Sequence, residues 1–95
     1  MAEMTSLAVR ATSLKTFMEG KEDTFRRLLP KSVDAKRFIT IALLNINRNP
    51  QLLECDRNSF YLASLNAAHL GLDTDPVKGL AYLVPFKKQV TLVPG

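Results

Sequence analysis

The stretch Lys36–Leu72, KRFITIALLNINRNPQLLECDRNSFYLASLNAAHLGL, decides how the rest of the chain can fold. In its first half Ala35, Phe38, Ile39, Ala42 and Ile46 recur at spacings near three, four and seven, which predicts one apolar helical face. Ile41, Leu43 and Leu44 widen that face until little is left for solvent. In its second half Leu62, Leu65 and Leu72 form one stripe, and Phe60, Ala63, Ala67 and Leu70 form another. Two largely buried helices are therefore expected, packed on each other and on the segment C-terminal to them. Ser32 or Asp34 is placed to cap the first and Asp56 or Asn58 the second. Asn49-Pro50 stops the first, because proline disfavours the α conformation in the residue before it. Gly71 suits the left-handed end of the second. Ala63, Ser64, Ala67 and Ala68 would let a neighbouring element approach closely.

Working outward, residues 1–12 are small and polar and are expected to be flexible. Ser13–Leu29 is expected to be an amphipathic helix, with Leu14, Phe17, Met18, Phe25, Leu28 and Leu29 on its apolar side and a break at Gly20. Pro30 closes it. After Gly71, Asp73-Thr74-Asp75-Pro76 is turn chemistry. Leu80–Phe86 is partly aromatic and predicts a strand, which Pro85 assigns to a sheet edge or a bulge. Gln89–Val93 alternates polar and apolar as a half-buried strand does. Lys87-Lys88 would be the tip of the hairpin, without the usual Asn-Gly. The fold class is α+β: two or three N-terminal helices, then a hairpin.

A lone hairpin is marginal in water, and the second strand would carry an open edge. The expectation is therefore a single, truncated N-terminal region of a larger domain, or a fragment that completes its sheet with another chain. The 95 residues suit one domain, and an apolar fraction of 46% is enough for a core. The single cysteine, Cys55, cannot form an internal disulfide, which suits a reducing cytoplasm. No apolar run is long enough to span a membrane. The 13 basic residues exceed the 9 acidic ones, and the net charge of +4 suits a polyanionic partner such as nucleic acid.

Catalytic chemistry finds little support. His69 is the only histidine and sits where a helix dipole favours a cation. Cys55 lacks a second cysteine for zinc and has only His69 as a possible base. Asp73 and Asp75 are turn carboxylates first and weak cation ligands second. No glycine-rich, lysine-bearing phosphate loop occurs. No catalytic or metal-binding residue is assigned, and no cofactor is expected.

Several segments carry a family resemblance. They are Arg37-Phe38-Ile39 through Ala42-Leu43, Asn49-Pro50-Gln51-Leu52-Leu53-Glu54-Cys55, Ser59 with Leu65-Asn66-Ala67-Ala68-His69-Leu70-Gly71-Leu72, and Gly79-Leu80-Ala81-Tyr82-Leu83-Val84-Pro85-Phe86. In order and spacing they resemble the start of the RecT family of phage single-strand annealing proteins. There the pieces take the form of an NPxLLxC elbow, an A-x-x-LGL helix end and an AYLIPY strand, followed by a GYKG segment and further strands and helices. Pro94-Gly95 falls where that segment would begin. The resemblance implies a bacteriophage or prophage protein that oligomerises on single-stranded DNA and pairs complementary strands without ATP. It also implies possible host replication or recombination partners. Magnesium often assists the family, and no site for it is evident in this sequence.

Phosphate contacts would fall to Lys36, Arg37, Arg48, Arg57, Lys78, Lys87 and Lys88. Arg37 and Arg48, eleven apart, share a helical side. A hairpin tip can reach into a groove, so Lys87 and Lys88 are either groove contacts or a solvated turn. Tyr82 and Phe86 alternate onto one strand face, where they either stack on bases or pack in the core. Two further readings stay open: an assembly element without DNA contacts of its own, and a truncated remnant.

Overall fold

The computed structural model of the chain describes residues 2–94, with side chains from Ala8 onward. Five helical segments precede a two-stranded sheet. They are α1 (Ala2–Glu19), α2 (Glu22–Leu28), α3 (Ala35–Arg48), a 3-10 helix (Pro50–Glu54) and α4 (Arg57–Leu70), followed by β1 (Ala81–Phe86) and β2 (Gln89–Pro94). The α+β order is the expected one, with four α-helices in place of two or three. The break at Gly20 separates α1 from α2. α1 starts at Ala2, well ahead of the expected Ser13. The flexibility expected of residues 1–12 falls in part on side chains outside the described residues.

Local chemistry explains the boundaries. The Asp34 carboxylate accepts a hydrogen bond from the Lys36 backbone N–H and caps α3. Asn49 ends α3 in an extended conformation, and Pro50 opens the 3-10 helix that forms the elbow. Asp56 occupies the N-cap of α4 but its carboxylate makes no capping bond; the Ser59 hydroxyl instead donates to the Asp56 carbonyl at 2.6 Å. Gly71, at φ +72°, closes α4 with paired bonds from Leu72 N–H to Ala67 C=O and from Gly71 N–H to Ala68 C=O.

The core lies where α1, α2, α3 and α4 meet, beneath the inner face of the sheet. Phe25, Phe60, Met18, Leu52 and Leu83 are its largest buried side chains. The Phe25 ring packs against Phe38 and Tyr61 at 5.7 and 5.8 Å. α3 buries Ala35, Phe38, Ile39 and Ala42 as its spacing predicts. Its remaining apolar residues are less covered than expected, with Leu44 exposed and Ile41 and Leu43 half-buried. α4 buries Phe60, Ala63, Ser64, Ala67 and Ala68, and its small side chains allow close packing against β2. Leu62 and Leu70 are exposed, so near-complete burial of the two helices is corrected to burial of one broad face on each.

The hairpin is antiparallel, with Phe86 opposite Gln89 and Tyr82 opposite Val93. A two-residue turn makes Phe86–Gln89 a hydrogen-bonded pair, so the N–H groups of Leu83, Val90 and Leu92 point away from the partner strand. Leu83 N–H donates to Asn45 Oδ1 at 3.3 Å, and Val90 N–H donates to Ser59 Oγ at 2.9 Å. Pro85 and Pro94 stand at the same outward positions and have no N–H to offer. The open edge expected of the second strand is only partly covered: α4 packs against β2 and Ser59 takes the Val90 donor, while Gln89, Thr91, Val93 and Pro94 remain exposed. Pro85 is an edge residue, as its chemistry requires.

Asn45, an α3 residue only 2% exposed, ties three segments together. Its amide nitrogen donates to the carbonyls of Ala42 at 3.1 Å and Thr74 at 3.0 Å, while its oxygen accepts from Leu83. Replacing Asn45 by Leu is expected to cost about 2–4 kcal/mol, because buried backbone groups of Thr74 and Leu83 lose their partners. A urea denaturation curve measures this; an unchanged midpoint would show that the node does not hold the sheet.

Candidate nucleic-acid interface

Alternation along the two strands sorts their side chains onto two faces. Ala81, Leu83 and Val90 point inward and are buried. Tyr82, Val84 and Phe86 on β1, with Gln89, Thr91 and Val93 opposite them, form the outer face. Phe86 is 62% exposed and Tyr82 half-buried, so neither belongs to the core, and the core-packing alternative for these two rings is set aside.

Cations reach this face from two directions. Arg48, in the last turn of α3, places its guanidinium 5.4 Å from the Tyr82 ring centre. The Lys87 ammonium lies 5.5 Å from the Phe86 ring centre. Lys88 is exposed beside it. Gly79, at φ +69°, lets Tyr82 settle close by: a Cβ there would stand 3.0 Å from the Tyr82 hydroxyl.

The tip itself is held under strain. Lys87 and Lys88 both adopt left-handed backbone conformations, at φ 49° and 62°, as the tight hairpin turn demands. Lysine is disfavoured there. The Lys88 carbonyl accepts from the Asp56 N–H at 3.0 Å, which together with the Ser59–Val90 bond pins the tip to the start of α4. Asp56 and Ser59 are the supporting residues that sequence reading passed over as a helix start. Asp56 was legible as a cap candidate and Ser59 only through the family resemblance, and neither signalled a bond to the hairpin.

The other expected phosphate contacts are dispersed. Lys36 and Arg37 stand in the first turn of α3, about 16–18 Å along the helix axis from Arg48 at 1.5 Å per residue. Arg57 turns toward α1, with Nη1 3.3 Å from Ser13 Oγ and its guanidinium 4.6 Å from the Phe17 ring centre. Lys78 pairs with Asp73 at 2.9 Å. Partial burial pushes the Asp73 carboxyl up. Hydrogen bonds from Lys78 and the Asp75 N–H, with the charges of Lys78 and Arg37, outweigh that and hold it below its ordinary value. Of the seven cations, the structure therefore gathers Arg48, Lys87 and Lys88 around the hairpin.

The polar groups read as non-catalytic sit apart. Burial, then the Glu54 carboxylate, push the Cys55 thiol above its ordinary value, which weakens it as a nucleophile. His69 is exposed in the last turn of α4. Among the described residues, no group of three or more His, Cys, Asp or Glu side chains could hold a metal ion. No described helix is long and apolar enough to cross a membrane.

The pattern of the RecT family matches residues 36–95, which include all of α3 but its first residue, the elbow, α4 and the whole hairpin. The chain belongs to the RecT family. It is 39% identical over 98 residues to Protein RecT of Escherichia coli (strain K12). That alignment covers 93% of this chain and 36% of the relative, so the chain spans about a third of the length of the RecT protein it matches. No solved structure matches the chain. The RecT-matching region contains Asn45, Ser59 and every outer-face residue named above.

Exchanging Lys87-Lys88 for Asn-Gly, which accept left-handed backbone readily, is expected to stabilise the fold by about 1 kcal/mol. The thermal midpoint should rise by roughly 4–8 °C. A lower midpoint would show that the lysines make stabilising contacts outweighing their backbone strain.

Proposed function

We propose that this chain binds single-stranded DNA across the outer face and tip of its hairpin. It would serve as the N-terminal part of a larger, oligomeric annealing protein of homologous recombination. The observation that carries this reading is that Arg48 and Lys87 rest on the two rings of the outer sheet face, with Lys88 exposed at its tip, within a RecT-family chain. Phosphate contacts from these cations require no base sequence. Annealing makes and breaks no covalent bond, so the protein acts as a binding scaffold and not as an enzyme. Pairing of complementary strands is itself favourable, so ATP is not required. Such a role belongs in the cytoplasm of a host cell, with phage or prophage origin and host recombination proteins as natural companions. Lys36, Arg37 and Lys78 extend the cationic surface only if the strand runs on past the Asp73 turn. Arg57, engaged with Ser13 and Phe17, serves the fold first.

A second reading, an assembly element, is favoured by one observation. Leu62 and Leu70, 50% and 64% exposed, line an apolar groove between α4 and β2 with Leu92. Oligomers formed by the chain without affinity for DNA would support assembly in place of strand binding.

Fluorescence anisotropy with a labelled oligo-dT strand tests the main reading. Three phosphate contacts predict that log K falls against log salt with a slope near −2, from about −0.7 per contact on single strands. K87Q/K88Q should bring the slope to about −0.7. Salt-independent binding, or a slope indifferent to these two lysines, removes the hairpin from the interface.

A further inference from the structure

Each ring on the outer sheet face has a cation resting on it: Arg48 over the half-buried Tyr82 and Lys87 over the exposed Phe86. Neither cation has a carboxylate partner among the described residues. The ion pairs among those residues join Arg26 to Glu22 and Asp23, and Lys78 to Asp73. Arg48 and Lys87 are exposed residues, each resting on a ring. The contrast with Phe17 is informative. Lys21 and Arg57 also lie over that ring, but Phe17 packs edge-on against Tyr61 at 5.8 Å, and Arg57 is tied to Ser13. There the cations are part of the framework. On the hairpin they cover surfaces that face solvent.

We infer that Arg48 and Lys87 are displaceable covers, and that the ligand of this face is an unpaired nucleotide taken as a base and a phosphate together. A base slides onto the ring. The cation that leaves it then lies beside the phosphate of the incoming nucleotide. Magnitudes favour the exchange: an exposed cation–ring contact is worth about two- to fivefold in an equilibrium, whereas base stacking on an aromatic side chain is worth about five- to 150-fold. Stacking also engages the face of a base and leaves its pairing edge free, which strand pairing requires.

Spacing is consistent with two such seats. Tyr82 and Phe86 are four residues apart on β1, about 13 Å at 3.3 Å per residue. That distance spans about four nucleotide steps at 3.4 Å each, or fewer in a stretched strand. Between them on the same face lies the aliphatic Val84, with Thr91 opposite. A duplex keeps its bases stacked inside and cannot displace the covers. A polyanion without bases gains the phosphate contacts alone.

This inference rests on the single-strand reading above, and one experiment separates the two. The 95-residue protein is titrated at a fixed salt concentration with labelled oligo-dT, with an abasic strand of equal length and charge, and with a duplex. Abasic and duplex binding at least about tenfold weaker than oligo-dT is expected. F86A should weaken oligo-dT binding about five- to tenfold and leave the abasic affinity unchanged, and F86W should restore it. The high exposure of Phe86 makes F86A compatible with folding, which circular dichroism checks. Equal affinity for the abasic and oligo-dT strands overturns the inference while leaving phosphate-based binding intact. So does an F86A effect of the same size on both strands. Absence of binding to any strand overturns the single-strand reading and this inference with it.

Discussion

One buried amide holds the sheet to the helices. Asn45 spends its donors on the carbonyls of Ala42 and Thr74 and its acceptor on the N–H of Leu83. A two-stranded sheet has too little cross-strand bonding to persist alone. Here the outward donor of β1 at Leu83 is taken up by α3, and the outward donor of β2 at Val90 is taken up by Ser59 of α4. Each strand is thereby fastened to a different helix. The inward residues Leu83 and Val90 complete an apolar core that the helices have already formed around Phe25 and Phe60. A buried polar side chain is costly unless its bonds are made, and Asn45 is placed where three buried or half-buried backbone groups need partners.

That anchoring fixes what the outer face can present. Because Leu83 must point in, Tyr82, Val84 and Phe86 must point out, since strand side chains alternate. Because the Lys88 carbonyl is bound by Asp56, the turn is held in place although lysines occupy its left-handed positions. Strain of this kind is maintained where the surrounding structure over-determines it, and it is found at functional sites. The two lysines leave their charges in solvent at the end of an aromatic strand. Arg48 adds a third from α3, because the helix that supplies Asn45 ends one turn later beside Tyr82.

Electrostatics elsewhere serve the fold. Lys78 and Arg37 hold Asp73 ionised in the loop that leads into β1, and Arg57 couples α4 to α1 through Ser13 and Phe17. A net charge of +4 therefore describes the chain poorly as an interface. The relevant quantity is the small set of described cations without carboxylate partners that stand on the outer face of the sheet.

Much of this architecture was legible in the order of residues. Ala35, Phe38, Ile39 and Ala42 announced the buried face of α3, Pro50 its end, Gly71 the end of α4, and Pro85 the edge position of β1, because each depends on local periodicity or local backbone restriction. The family resemblance rested on the same segments. Contacts between distant segments were not legible. Nothing in the local sequence singled out Asn45 or Ser59 as anchors of the hairpin, because their partners lie 38 and 31 residues away. Nor could spacing distinguish Arg48 from Arg57, or show that Leu62 and Leu70 would remain uncovered. Local chemistry determined the elements and their ends. Tertiary structure alone decided which charges stayed free and which rings stayed open, because a side chain's partner depends on how helices and strands pack, and one-dimensional spacing does not record that.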